Sequence, residues 1–188
     1  SLLYAATATG VRLSDNGGAT WTENLLTNLN SRQANVLGLA LQPGSTGRIL
    51  AATSEHGVFR TEDGGANWVE SSTGLDTTMT HEVVFALNEP DVAYVTPHRG
   101  VYRSNDGGRT WTRRSGGLTY EFVRAIAVDP RDADVAYVGT ASELHLLHGE
   151  HQQQGLHEGE GIYKTLDGGR TWFLSDTDIE ESNLVIMT

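Results

Sequence analysis

Apolar residues fall in short runs separated by turn residues, and the order of these runs repeats along the chain. In one repeat the run Asn35-Val36-Leu37-Gly38-Leu39-Ala40-Leu41 stops at Pro43. Arg48 to Thr53, Gly57 to Thr61 and Asn67 to Glu70 follow. The next repeat reads Glu82 to Leu87, Val92 to Thr96, Val101 to Ser104 and Thr110 to Arg113. The last reads Phe122 to Val128, Val135 to Gly139, Ile162 to Thr165 and Thr171 to Leu174. Runs this short, rich in Val, Ile, Tyr and Phe and bounded by Gly, Pro, Asn and Asp, predict strands and hairpins. The first strand of each repeat is apolar on both faces, which predicts burial on both sides. Only part of 142–153 hints at a helical period.

The ends of the chain complete the pattern. The N-terminal repeat opens directly in a second strand, Leu2 to Thr7, followed by Val11 to Ser14 and Thr20 to Glu23. The C-terminal stretch Asn183-Leu184-Val185-Ile186-Met187 aligns with the first strand beginning at Asn35. Four-stranded sheets repeated radially make a β-propeller. The expectation is one all-β domain over 1–188, with four four-stranded blades at about 184–188 plus 1–26, 34–73, 82–116 and 121–175. The C-terminal strand would join the N-terminal strands in one blade and cover two sheet edges. The rival expectation is a piece of a larger propeller, cut between repeats.

Between the third and fourth strands of every repeat stands the same motif. Its copies are Ser14-Asp15-Asn16-Gly17-Gly18-Ala19-Thr20-Trp21, Thr61-Glu62-Asp63-Gly64-Gly65-Ala66-Asn67-Trp68, Ser104-Asn105-Asp106-Gly107-Gly108-Arg109-Thr110-Trp111 and Thr165-Leu166-Asp167-Gly168-Gly169-Arg170-Thr171-Trp172. The tryptophans are 47, 43 and 61 residues apart, the period of propellers and related arrays. Asp63, Asp106 and Asp167, with Asn16 in the first copy, suit a turn, because their side chains accept from amides just ahead. Glycine takes the positive φ that such turns need. Trp21, Trp68, Trp111 and Trp172 are expected to pack beneath it. The loops lack the later Glu of a calcium site, so they read as structural turns. The motif resembles the Asp-box, or BNR repeat, Ser/Thr-x-Asp-x-Gly-x-Thr-Trp, with Asn16 in place of Asp and Asn67 in place of Thr. That resemblance implies a propeller. Its members include sialidases, xyloglucan-degrading endoglucanases, sortilin receptors and a photosystem II assembly factor, so it implies no single activity.

The net charge of −11 argues against nucleic acid and anionic membrane surfaces as partners. The absence of cysteine excludes disulfides, zinc–thiolate sites and cysteine nucleophiles, without choosing between cytosol and an exported location. No run of 18 apolar residues is present to span a bilayer. Ser1 is not expected to be a natural start, so a leader or upstream segment is expected to have preceded it.

If the Asp-boxes occupy one face, the turns between second and third strands share the opposite face with the entries to the first strands. All seven histidines are expected there. Glu55, His56, His98 and Arg99 lie in the short turns, His81 lies at the end of an entry segment, and the insertion 142–161 carries Glu143, His145, His148, His151 and His157. These residues, apart from His81, are the ligand-binding candidates. Long loops on a rigid scaffold concentrate function. His145, His148 and His151, spaced three apart, are candidate ligands for a divalent transition metal, although no established metal motif is matched. A solvated polar loop, or a protonation switch, are the competing readings. Glycoside hydrolysis needs two carboxylates at fixed separation. Glu55, Asp76, Glu82, Glu143, Glu158, Asp178 and Glu180 are on the expected face, and nothing in the sequence pairs them. A sialidase is disfavoured by the lack of a Phe-Arg-Ile-Pro motif. Arg99, Arg113 and Arg114 read as solvated charges. The expected function is a binding or scaffolding module for a protein or carbohydrate partner, as a monomer or as a dimer completing a larger propeller. The alternative is a glycoside hydrolase or part of one.

Overall fold

The structure, a computed structural model, describes residues 2–23, 25–26, 34–119, 122–140 and 161–175. Fourteen strands and no helix occur among them. The first sheet pairs β1 (Leu3–Thr7) with β2 (Gly10–Ser14). The second runs β3 (Val36–Leu41), β4 (Ile49–Thr53), β5 (Val58–Thr61) and β6 (Val69–Glu70). The third runs β7 (Thr80–Phe85), β8 (Ala93–Pro97), β9 (Tyr102–Ser104) and β10 (Thr112–Arg113). The fourth runs β11 (Val123–Asp129), β12 (Asp132–Thr140), β13 (Gly161–Thr165) and β14 (Phe173–Leu174). Every sheet is an antiparallel meander in chain order, the blade pattern of a β-propeller.

Two expectations change here. The first sheet has two strands where three were read; its outer edge makes isolated bonds, Thr22 N to Leu13 O (2.9 Å) and Leu25 N to Val11 O (2.8 Å). The closing strand 184–188 lies outside the described residues, so the blade count of four and ring closure remain expectations. Burial also differs. In the second and third sheets the second strands, β4 and β8, are wholly buried, as is the short β9, whereas β3, β7, β11 and β12 keep partly open positions. β4 and β8 each have a neighbouring sheet on both faces, while a first strand lies at the edge of its sheet and has one open flank.

The core is accordingly split into layers between successive sheets. Val11 and Leu26 meet Val36, Ile49, Ala51, Phe59 and Trp68. On the other face of the same strand, Leu50 and Ala52 meet Val83, Phe85, Val95 and Trp111. Tyr94, Val101 and Leu118 meet Val123, Ile126, Val138, Tyr163 and Trp172. The alternation Ile49/Leu50/Ala51/Ala52 therefore feeds two core layers at once, as the two-residue period of a strand dictates.

Polar ties cross the same boundaries. Tyr4 Oη donates to Gly64 O (3.0 Å) and Tyr94 Oη to Ala133 O (2.7 Å). Arg48 pairs with Asp91 at 2.8 Å, and Arg103 with Asp134. Within each full sheet the Asp-box turn is fastened to the first hairpin turn: Gly64 N to Gly47 O, Gly107 N to Asp91 O and Gly168 N to Asp134 O. Both kinds of turn thus occupy one end of the sheets, and the β4–β5 and β8–β9 turns, with the paired Thr140 and Gly161 of β12 and β13, occupy the other.

Candidate functional site

The end away from the Asp-boxes is built by a repeated device. A glycine with positive φ opens each third strand, Gly57 (φ 73°) and Gly100 (φ 80°) among them. An added Cβ there would strike Ser72 Oγ or Ser115 Oγ. Those hydroxyls accept from the next amide, Val58 N at 3.0 Å and Val101 N at 2.9 Å, and hold the entry segments against the turns. Thr80 Oγ1 accepts from Thr53 N and donates to Thr53 O, each at 2.9 Å, and ties the start of β7 to the second sheet.

Just inside that end, each first strand carries a β-bulge. The pairing steps from Val36↔Thr53 to Gly38↔Ala52, from Thr80↔Pro97 to Glu82↔Thr96, and from Val123↔Thr140 to Ala125↔Gly139. Leu37, His81 and Arg124 are the extra residues, at one register in three neighbouring sheets. A bulge re-aims a side chain and is common beside functional sites. The β3 and β7 backbones meet here: a Cβ at Gly38 would lie 3.1 Å from Glu82 Cα and 3.2 Å from His81 O.

His81 is half-buried in a nest of rings. Its centroid is 6.2 Å from His98 and 6.1 Å from Phe122, and Phe122 stands edge-on to His98 at 5.1 Å. The Arg124 guanidinium lies 4.4 Å from the Phe122 centroid, a cation–π distance. His81 Nε2 is buried with no hydrogen-bond partner among the described residues. Burial first, then the charges of Arg124 and His98, hold the His81 pKa below its usual value. Glu82 accepts from Ile126 N at 3.0 Å, and burial raises its pKa despite that bond. Burial lowers the Arg124 pKa.

The sign of the His81 shift sets a pH dependence. With a folded pKa below the unfolded one, its full contribution is present at high pH. Stability falls as pH drops below about 6.5, where the unfolded chain takes up the proton first. Phe122 and His98 face the ring from neighbouring elements, and Arg124 adds its charge from β11. Thermal unfolding scans are expected to show a declining Tm between about pH 7 and 5, and His81→Phe should flatten that slope.

Of the residues expected at this site, only His98 joins the ring cluster. Arg99 and Glu55 are exposed turn residues, and His56 is partly buried with its backbone N bonded to Thr53 Oγ1 at 2.9 Å. His81 sits second in β7 rather than in the entry segment. Glu143, His145, His148, His151 and His157 lie outside the described residues. Among the described residues, no three His, Asp or Glu side chains come together as a metal site. Arg113 leans towards Asp76 at 3.5 Å, so it does not form a patch with Arg99. The bulge row was missed. Its signal was a column formed by aligning the three first strands, which stacks Leu37, His81 and Arg124.

At the opposite end the Asp-box geometry repeats. Ser14, Thr61, Ser104 and Thr165 hydroxyls accept from Gly18, Gly65, Gly108 and Gly169 amides at 2.8, 3.0, 2.8 and 2.9 Å. The family model described as BNR/Asp-box repeat matches residues 102–113. The chain carries BNR/Asp-box repeats. No curated protein matches it. Among solved structures, the Asp-box chain is similar to an ancestral GH74 enzyme (TM-score 0.70, 21% identity, 93% of this chain, 24% of that one). It is also similar to the GH74 xyloglucanase from Xanthomonas campestris (TM-score 0.68, 16% identity, 95% and 29%). A third likeness is to YCF48 bound to D1 peptide (TM-score 0.60, 15% identity, 92% and 50%). The Asp-box chain therefore spans a quarter to a half of these proteins, and at such identities the likeness establishes the fold.

Proposed function

We propose that this propeller chain is a binding module that receives an acidic group of its partner at the mouth formed by the three bulges. The observation that carries the proposal is Arg124. It projects from a bulge and rests on Phe122, and no carboxylate pairs with it among the described residues. Leu37, about half exposed, offers apolar contact in the same row, and His81 and His98 add imidazoles. A guanidinium open at this spot on a chain of net charge −11 suits an acidic group of a partner. The insertion 142–161 departs after Thr140 and returns at Gly161, which pair at this end of the fourth sheet. Its Glu143, His145, His148, His151 and His157 are further ligand-binding candidates, and His145, His148 and His151 are candidate ligands for a divalent transition metal.

Calorimetry against acidic peptides and against neutral xyloglucan oligosaccharides tests the proposal. Acidic peptides are expected to bind in a salt-sensitive way. Arg124→Ala should weaken them about tenfold or more, the worth of one charge-assisted hydrogen bond, with Tm unchanged. Binding of the neutral sugars alone, or wild-type affinity in Arg124→Ala, would overturn it.

One observation favours a second reading, a glycoside hydrolase. Glu82 is half-buried with a raised pKa, the condition of a general acid. Its partner carboxylate would stand about 5–9.5 Å away. Release of reducing sugar from xyloglucan, abolished in Glu82→Gln, is the signature of this reading.

A further inference from the structure

Each Asp-box turn sets an acid, or its amide, directly before a glycine: Asn16-Gly17, Asp63-Gly64, Asp106-Gly107 and Asp167-Gly168. At such a dipeptide a chain can cyclise on itself. The glycine nitrogen attacks the carbonyl carbon of the preceding side chain, and glycine has no side chain to obstruct the approach. The four turns share one geometry. Their first glycines have φ of 74°, 71°, 72° and 70°. The preceding side chains are held by the same donors. Asn16 Oδ1 accepts from Ser14 Oγ and Thr20 N, each at 3.0 Å. Asp63 accepts from Thr61 Oγ1 and Asn67 N at 2.7 and 2.8 Å, and Asp106 from Ser104 Oγ and Thr110 N at 2.7 and 2.9 Å. Asp167 accepts from Thr165 Oγ1 and Thr171 N, each at 2.9 Å.

What differs is the electrophile. Asp63, Asp106 and Asp167 are carboxylates whose pKa values lie below the ordinary range, so the cage keeps them ionised. A full negative charge repels the deprotonated nitrogen that would attack it. Asn16 carries a neutral amide in the same cage, and it is the one asparagine in the sequence followed by glycine. The two donors on its Oδ1 stabilise the negative charge that develops on that oxygen during attack, as an oxyanion hole does. Its Nδ2, the leaving nitrogen, donates to Thr20 Oγ1 at 2.7 Å. Asn16 and Gly17 are both exposed, so hydroxide and water reach them.

We propose that Asn16 is a self-modification site at which the folded chain deamidates. The bond from Gly17 N to Asn16 Cγ forms, the Cγ–Nδ2 bond breaks, and ammonia leaves with the proton that Gly17 N gave up. Water then opens the succinimide. Attack at Cγ yields aspartate and restores the main chain. Attack at the main-chain carbonyl carbon yields isoaspartate, with the chain running through the former side chain. The aspartate product finds the partners that Asp106 has: Thr20 Oγ1 turns to donate, as Thr110 Oγ1 donates to Asp106 at 2.6 Å. The first box then matches the others. Isoaspartate adds a carbon to the main chain between Ser14 and Gly18, and breaks the 2.8 Å bond from Gly18 N to Ser14 Oγ.

Incubating the folded 188-residue chain at mildly alkaline pH in water enriched in heavy oxygen, followed by peptide mass spectrometry, tests this. The expected result is loss of the Asn16 amide with gain of heavy oxygen, ahead of any loss at Asn35, Asn67 or Asn105, and faster as pH rises. Isoaspartate is expected at the same position before it forms at Asp63, Asp106 or Asp167. Asn16→Asp should raise Tm at neutral pH, because the cage then holds a charged acceptor. A lower Tm overturns the claim that conversion completes the box. Retention of the Asn16 amide in the folded chain, with loss only in urea, overturns the proposal, since the cage would then protect the amide. Earlier loss at Asn35, Asn67 or Asn105 overturns it equally.

Discussion

Trp111→Ala is expected to destabilise the chain by about 3–5 kcal/mol, the usual range for emptying a buried aromatic site. Trp111 stands in the layer between the second and third sheets, with Leu50, Val58, Phe85 and Val95 in the same cluster. Removing it opens a cavity there and strands the Ser71 carbonyl, whose partner is the indole N–H. The loss cannot be repaired from nearby. Gly74, at φ 97°, already presses its backbone on the Trp111 carbonyl, and Gly108 fits against Leu50 because it has no Cβ. Urea unfolding followed by far-UV circular dichroism measures the change. A cost below ~1 kcal/mol would mean that the tryptophan is not the joint between blades.

Asp106→Ala is expected to cost about 2 kcal/mol, in the range for hydrogen bonds to a charged acceptor. One carboxylate oxygen accepts from Ser104 Oγ (2.7 Å), Arg109 N (2.9 Å) and Thr110 N (2.9 Å), and the other from Thr110 Oγ1 (2.6 Å). Asp106→Asn should cost less. In the first box Asn16 Oδ1 accepts from Ser14 Oγ and Thr20 N, each at 3.0 Å, while its amide donates to Thr20 Oγ1 at 2.7 Å. The same cage produces acid sensitivity. Burial pushes the Asp106 pKa up, but the bonds from Thr110, Ser104 and Arg109 outweigh it, and the net shift is downward. Bonds from Thr171 lower Asp167, and bonds from Asn67 bring Asp63 down to about 2. Folded values below unfolded ones stabilise above about pH 4 and lose that contribution as pH falls towards 2. Acid unfolding curves of Asp106→Asn should be shallower than wild type over that window. Equal slopes would show that the cage does not hold the carboxylate. Ligand affinity should be untouched by either change, since the box lies at the other end of the sheets.

The strands and box turns were legible because both are local. A run such as Arg48 to Thr53 alternates into two cores, and paired glycines at Gly107 and Gly108 announce a turn whichever sheet they join. What the sequence concealed was pairwise. Arg124 is an ordinary strand residue until Val123 and Ala125 are matched to Thr140 and Gly139 across the ladder. Which strand is buried on both faces depends on sheet stacking, so the apolar β3 gave no warning that β4 would be the one enclosed. The first sheet's missing outer strand has a cause one residue long. Its edge returns to the ladder at Leu25, four residues after Trp21, whereas Ser71 and Arg114 return three residues after their tryptophans.

The bulges carry an evolutionary consequence. Leu37, His81 and Arg124 are the surplus members of their ladders, so strand register does not depend on their identity. On the binding role proposed above, changing them alters what that end attracts and leaves strand register alone. On that same proposed role, a lineage with this scaffold can trade one clientele for another through three codons, while the buried tryptophans Trp68, Trp111 and Trp172 stay under separate selection for folding.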